Sequence, residues 1–222
     1  MIEDDDFELN RIMDELEEGS KEINEINSEL ENYFEWLEVL TGLNKISKKF
    51  VSNMDSLSSI HGSISDTIDN SFLIGTLWSG VISSYEGFVH DLFDLLLSNR
   101  IHAQAAVEGA PSLDKGLLDQ IKLNKNKYIS AEDLRFLFRK ATLSNPNKGA
   151  ALANHLFKTN IPEIEDKEML SALKIRNAYT HNNGGVEVSL SSLELFHDKI
   201  DTAVGGYIKE ILNQANSRIS KD

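Results

Sequence analysis

The chain of 222 residues is long enough to bury a hydrophobic core without cross-links, and it contains no cysteine. A disulfide framework, a thiolate metal site and a cysteine nucleophile are therefore excluded. Its N-terminus is acidic, and no apolar run approaches the roughly 20 residues that span a membrane, so we expect a cytoplasmic protein with no membrane partner. The formal net charge of −14 at first argues against binding to nucleic acid, whose phosphates attract basic surfaces.

The acidic residues are concentrated at the N-terminal end of the chain. Residues 1–38 contain 15 acidic residues against two basic ones, a net charge of −13, whereas the rest of the chain has 20 basic and 21 acidic residues. The overall charge therefore says little about the surface of the remaining chain. Binding to nucleic acid stays open for that part.

The acidic segment has apolar residues at heptad spacing, broken only at Gly19. They are Leu9, Ile12, Leu16, Ile23, Ile26, Leu30, Tyr33, Leu37 and Leu40. This spacing over more than four heptads predicts a long helix with a narrow apolar seam, which we assign to residues 1–50. Glu15, Glu22 and Glu29 flank the seam with few basic residues opposite, so charge repulsion opposes a parallel self-pair. Packing on the rest of the chain, on a protomer or on a different protein stays open.

The segment that follows divides into a serine-rich stretch and an apolar stretch. Residues 51–66 are rich in serine and predict a linker or a helix end. Residues 67–101 are the most apolar part of the chain, with a broad helical spacing that suits a helix at the centre of a bundle. Glu86 interrupts this apolar character. We predict that residues 67–222 form a helical bundle.

The C-terminal half of the chain has further helix signals. Ser130 and Asp133 have the spacing of a capping box that begins a helix. A later helix is expected to end at the Asn-Asn-Gly-Gly sequence of 182–185. Residues 186–188 predict a short extended piece, and a last amphipathic helix is expected at about 191–215. No run of alternating strands occurs, so we predict an all-α fold.

Arg176, Asn177 and His181 precede this helix stop, and they are the residues best suited to chemistry. Arginine and histidine can hold and protonate a phosphate ester at neutral pH. Five helical steps rotate His181 by about 140° from Arg176, whereas Asn177 and His181, four apart, share a face. Such a trio lines a cleft only if another surface closes over it.

Metal and cofactor sites have no signature in this sequence. The six histidines are scattered without a metal-ligand spacing, and the paired glycines do not open a helix as phosphate loops do. We therefore predict neither a metal nor a cofactor. The remaining histidines are expected to be ordinary surface or core residues: His61, His90, His102, His155 and His197.

The sequence Arg-Asn-Ala-Tyr-Thr-His at 176–181 resembles the defining motif of the HEPN (higher eukaryotes and prokaryotes nucleotide-binding) superfamily. Members carry an arginine, a polar residue that is often asparagine, and a histidine after a short gap, late in a helical bundle. The resemblance covers roughly residues 67–215 and includes a glutamate-bearing helix like that around Glu86. It implies a HEPN-like bundle to which the long acidic N-terminal helix is added.

The resemblance also implies an activity, because many members are metal-independent ribonucleases whose active site forms where two copies of the motif meet in a homodimer. Carried over, His181 would be the general acid or base in attack by the ribose 2′-hydroxyl. Arg176 would hold the scissile phosphate and Asn177 would orient the histidine or the phosphate. Glu86 would brace Arg176 or His181, and Tyr179 would either stack a base or be buried.

Two function classes follow from these expectations. The first is an endoribonuclease that acts on RNA as a homodimer. It would serve as a toxin or an anti-phage defence effector and have an antitoxin or defence-system protein as a partner. RNA would then contact the basic residues Lys122, Lys125, Lys127, Arg135 and Arg139. The alternative is a non-catalytic module that binds a nucleotide, RNA or protein and recruits a partner through its acidic helix. In a combined hypothesis, the acidic helix competes with RNA for the basic surface.

Overall fold

The computed structural model describes residues 2–64, 70–123, 129–164, 166–181 and 185–219, without the side chains of 2–10, 166, 168, 169, 181 and 219. The described residues form helices and no strand, so the predicted all-α class and the long N-terminal helix are confirmed. None of these helices is apolar over a stretch long enough to cross a membrane. The helices are α1 (Ile2–His61), α2 (Ser71–Ser98), α3 (Arg100–Gly109), α4 (Lys115–Ile121), α5 (Ala131–Lys140), α6 (Pro146–Leu156), α7 (Asp166–His181) and α8 (Leu190–Ile219).

The chain divides into two compact units, Met1–Glu38 and Val39–Asp222. The first unit is a single helical stretch, the N-terminal part of α1. The second contains the rest of α1 together with α2 to α8. Helix α1 continues through the serine-rich stretch as far as His61, so residues 51–61 are a helix end rather than a linker. Serine hydroxyls along this end bond to carbonyls four residues earlier in the helix, for example from Ser56 to the carbonyl of Ser52 at 2.8 Å.

Helix α2 is the centre of the second unit, as its apolar sequence predicts. It contacts α3, α5, α6, α7 and α8. Its buried side chains include Leu77, Trp78, Val81, Phe88 and Phe93, and they face in several directions around the helix. A helix that is apolar on most sides is stable only when other elements cover all those sides.

The second half of α1 has a row of buried apolar side chains that we call the buried stripe: Val39, Leu43, Phe50 and Met54. Each of these side chains is at most 5% exposed. The ring of Phe50 meets the ring of Phe88 edge-on, with centroids 5.6 Å apart. Gly42 lies directly under the side chain of Leu95, so the absence of a Cβ there lets the two helices approach closely.

Two buried tyrosines connect α2 to α8 inside the core. The hydroxyls of Tyr85 and Tyr207 are 3.0 Å apart, and the Tyr85 hydroxyl also donates to the carbonyl of Pro146 at 3.3 Å. Gly149 lies beside both hydroxyls, where an added Cβ would come within 2.7 Å of the Tyr85 oxygen. Burial raises the pKa of both phenols above the ordinary value, and for Tyr85 the charge and hydrogen bond of Tyr207 add to the increase.

Several helix boundaries follow the sequence signals and others do not. The capping box of Ser130 and Asp133 begins α5 with both reciprocal bonds present. The central helix ends at Ser98 rather than near 101, because Asn99 adopts an extended backbone and caps the next helix, α3. Helices α3 and α4 were not predicted. Residues 185–189, which include the predicted extended piece at 186–188, belong to neither a helix nor a strand.

Candidate functional site

Helix α7 carries the motif residues and packs along α2. Its buried face consists of Ala172, Ile175 and Ala178, whose small or compact side chains allow close helix contact. Arg176 comes directly after Ile175 and is half-buried, while Asn177 is exposed. Arg176 therefore lies at the rim of the contact between α2 and α7, and Asn177 faces solvent.

Tyr179 fixes the C-terminal end of α7 on α2. Its ring lies directly against Gly75, and the ring centroid of Phe72 is 6.2 Å away. Its hydroxyl donates to the carbonyl of Val186 at 2.7 Å, which ties down the connection that follows α7. The hydroxyls of Thr180 and Ser79 add a contact of 3.2 Å between the same helices. The two predicted roles of Tyr179 were stacking on a base and burial. Its side chain is half-buried and makes packing contacts within the chain.

The guanidinium of Arg176 is oriented by its neighbour, because its Nη1 donates to Asn177 Oδ1 at 3.0 Å. A guanidinium has about five N–H donors, so this bond leaves most of them for another acceptor such as a phosphate oxygen. His181 is the last residue of α7. Its side chain and residues 182–184 lie outside the described residues. The structure thus brings Arg176 and Asn177 together at the end of one helix.

Glu86, which the resemblance implies would brace Arg176 or His181, has its described contacts with other residues. Its Oε1 accepts a bond from the backbone N–H of Leu143 at 2.7 Å and is 3.9 Å from His90 Nε2. Gly75, against which Tyr179 packs, is three helical turns earlier on α2, about 16 Å along the axis. Among the described side chains, Glu86 does not reach Arg176, and its bonds instead hold the α5–α6 connection to α2.

The predicted RNA-binding residues differ in whether their charges are already paired within the chain. Arg135 forms a two-pronged pair with Asp94, at 3.0 and 2.9 Å, and Arg139 contacts the same carboxylate at 2.9 Å. These bonds hold the pKa of Asp94 below its ordinary value, chiefly through the hydrogen bond from Arg135. Lys122 is exposed at the end of α4. Lys125 and Lys127 lie outside the described residues.

Two histidines that were expected to be ordinary residues lie together beside polar side chains. His61 on α1 and His197 on α8 line one cavity of about 210 Å³. Its apolar lining includes Leu77, Val81 and Leu193. His197 Nε2 is 3.1 Å from the hydroxyl of Ser58, and its Nδ1 is 3.4 Å from Asp201. His61 Nε2 is 3.4 Å from Glu194 without hydrogen-bond geometry. No local signal predicts this cluster, because its α1 residues are more than 130 positions from its α8 residues in sequence.

These polar contacts fasten the end of α1 to α8 around the cavity. Burial raises the pKa of Asp201 above its ordinary value, and the neighbouring charges of Asp198 and Asp55 add to the increase while His197 opposes it. The cavity lining combines the two imidazoles with the carboxylates of Glu194 and Asp198 and with apolar side chains. Across the described part of the chain, no group of three or more histidine or acidic side chains has a metal-binding arrangement.

Comparisons with known proteins give this site no assigned role. No protein-family model matches the chain, and neither a curated protein nor a solved structure was found to match it. The function proposed for the site therefore rests on its residues, on their positions and on the resemblance of the motif at 176–181.

Proposed function

We propose that the protein is a metal-independent endoribonuclease whose active site is completed by a second copy of the end of α7 in a homodimer. The observation that carries the proposal is the Arg176–Asn177 pair, whose guanidinium is oriented at the rim of a helix contact with most of its donors free to bind an anion. Position 181 comes four residues after Asn177, on the same helical face. A second surface over this face would create the cleft that one helix lacks.

The proposed reaction is an internal transfer of the RNA phosphodiester. His181 accepts the proton of the ribose 2′-hydroxyl, and the 2′-oxygen then forms a bond to phosphorus while the bond to the 5′-oxygen breaks. The second His181 of the dimer protonates the leaving 5′-oxygen, so the products are a 2′,3′-cyclic phosphate and a 5′-hydroxyl. Arg176 binds the non-bridging oxygens and stabilises the charge that develops on them.

The contacts on α2 change the roles proposed for the neighbouring residues. Tyr179 acts as a positioning residue, since its ring and hydroxyl hold the end of α7 against Gly75 and Val186. Glu86 is left out of the catalytic group because its carboxylate bonds the backbone of Leu143. Arg135 and Arg139 contribute less to RNA binding than their number suggests, because Asp94 neutralises part of their charge.

An RNA-cleavage assay of the full chain tests this proposal. We expect the wild type to cut single-stranded RNA in the presence of EDTA and to leave a 2′,3′-cyclic phosphate. Arg176→Ala and His181→Ala should each lower the rate by about 100-fold or more. Lys174→Ala is the matched control, because Lys174 is an exposed cation on the same helix and should leave the rate within about twofold. Uncut RNA, or equal cutting by His181→Ala, would contradict the proposal.

A second function is supported by a separate observation, the exposed apolar side chains of α1 in the unit Met1–Glu38. In this alternative the bundle binds a nucleotide, RNA or protein without cutting it, and α1 recruits a partner. RNA that binds to the wild type with an affinity lowered by Arg176→Ala, and is never cleaved, would favour it.

As a ribonuclease, the protein would suit a cytoplasmic toxin or anti-phage effector, with an antitoxin or defence protein as the partner.

A further inference from the structure

An uncovered apolar surface runs along the first unit of the chain. We call it the seam, and it consists of Ile12, Leu16, Ile23, Ile26, Leu30, Tyr33 and Leu37. These side chains are between 45 and 64% exposed, and they lie on one side of a helix over a length of about 38 Å. Soluble proteins rarely expose an apolar surface of this extent unless another molecule covers it.

The two flanks of the seam differ in charge. One flank carries Glu15, Glu22 and Glu29 at seven-residue intervals, and the other carries four residues without charge: Met13, Ser20, Asn27 and Phe34. Arg11 contacts Glu15 at 3.6 Å and Lys21 contacts Glu17 at 3.1 Å, each within the same helix. The two basic residues of this unit are thus engaged locally. An occupant of the seam meets a column of glutamates on one side only.

A second copy of α1 fits the seam poorly. In a parallel pair, Gly19 of one copy would face Gly19 of the other, and no atom of the chain lies within 4 Å of the Cβ position there to fill the gap. In an antiparallel pair the glutamate columns would face each other. Either pair would also bring together two segments of net charge −13 each.

We propose that the occupant of the seam is an amphipathic helix of a different protein, with apolar residues at heptad spacing and a column of lysine or arginine. This column faces Glu15, Glu22 and Glu29, and a large apolar side chain of the partner fills the space beside Gly19. Helices that pair through an apolar seam gain affinity from burial and gain partner choice from the flanking charges. The inference concerns a surface other than the end of α7 and holds whether or not that end cuts RNA.

Synthetic peptides titrated into the full-length protein test the chemistry of the occupant. The probe is a peptide of about four heptads with leucine and isoleucine in the seam positions and lysine at both flanks. Its comparators are the same peptide with glutamate at both flanks and a scrambled lysine peptide of equal composition. We expect the lysine peptide to bind at least about 100-fold more tightly than the glutamate peptide and about 10-fold more tightly than the scrambled one. Its affinity should fall as NaCl is raised from about 50 to 500 mM.

Two variants show whether the seam and its glutamates are the binding surface. Ile23→Asp should weaken binding of the lysine peptide by at least about 10-fold, whereas Ser28→Asp, which adds the same charge on the opposite side of α1, should change it by less than about twofold. The double change Glu22→Lys with Glu29→Lys leaves the seam intact. It should reverse the preference, so that the glutamate peptide binds more tightly.

Three results would overturn the proposal. The first is equal binding of the scrambled and heptad lysine peptides, which would indicate attraction of charge alone. The second is an unchanged preference in the double lysine variant. The third is self-association in analytical ultracentrifugation that Ile23→Asp abolishes and Ser28→Asp does not, without binding of the lysine peptide. That result would make a second copy of the chain the occupant.

Discussion

The two halves of helix α1 carry apolar side chains at similar spacing, but the second half has the buried stripe, whereas Trp36 is the only buried apolar side chain among the described residues of the first half. The seam side chains in the first half are about half exposed, whereas the buried stripe in the second half is at most 5% exposed. Three of the four buried-stripe residues, Val39, Leu43 and Phe50, lie one position before the continuation of the heptad register of the seam, whereas Met54 lies in that register. Spacing alone therefore does not reveal which apolar side of a helix is part of a core.

The largest expected effect tests this contrast with the same substitution in each half. Phe50→Ala removes a buried ring that packs on Phe88, so we expect the free energy of unfolding to fall by about 3–5 kcal/mol. Phe34→Ala removes a ring that is 58% exposed and should cost less than about 0.5 kcal/mol. Urea unfolding followed by circular dichroism measures both. Equal losses would mean that the first half of α1 is as well covered as the second.

A smaller effect extends the contrast to two glycines of α2. Gly75→Ala would push a methyl group into the ring of Tyr179, so we expect a loss of about 1–3 kcal/mol. Nothing lies within 4 Å of a Cβ at Gly87, and Gly87→Ala should raise stability by about 0.5–1 kcal/mol through helix propensity. Thermal unfolding of the two variants compares them directly. A stabilised Gly75→Ala protein would show that Tyr179 is not held against α2.

The smallest effect concerns charges that are paired or exposed. Asp94→Asn weakens the bonds from Arg135 and Arg139, and because the carboxylate is partly exposed we expect a loss of about 1 kcal/mol near neutral pH. The pKa of Asp94 is lowered in the folded state, so its contribution is present above the ordinary value of about 3.9 and disappears as pH falls through the folded-state pKa. The difference from wild type in urea unfolding should therefore vanish in acid.

Glu22→Gln is the control for this charge effect, because Glu22 is an exposed carboxylate in the first half of α1. We expect a change in the free energy of unfolding of less than about 0.5 kcal/mol at any of these pH values. A loss as large as that of Asp94→Asn would show that the acidic flank of the seam stabilises the folded chain.

The helical class, the long α1 and the capping box at Ser130 could be predicted because each depends on residues close in sequence. The break at Asn99 and helices α3 and α4 were missed, since the apolar pattern of the central helix runs on to 101 without a glycine or proline. The sequence also left open whether residues 51–66 are a linker or the end of α1. Serine is a weak helix former, and its hydroxyl bonds to preceding carbonyls became visible only in the structure.

The site could be predicted only in part for a similar reason. Arg176 and Asn177 are neighbours, so their pairing follows from the sequence of α7. The bonds of Glu86 to Leu143 and of Arg135 to Asp94 join residues 57 and 41 positions apart. Such bonds depend on how the helices pack, and the periodicity of a single helix contains no information about them. The same limit applies to the cavity between His61 and His197.

The ultraviolet absorbance of the buried tyrosine pair should report the unfolding of the chain at alkaline pH. A phenol absorbs differently once it ionises, and Tyr85 and Tyr207 are two of five tyrosines in the chain. Because their folded-state pKa values are raised, the stability they contribute is complete below the ordinary value of about 10 and is lost as pH rises beyond it. The last phenols to change their ultraviolet absorbance should therefore do so together with the loss of helix.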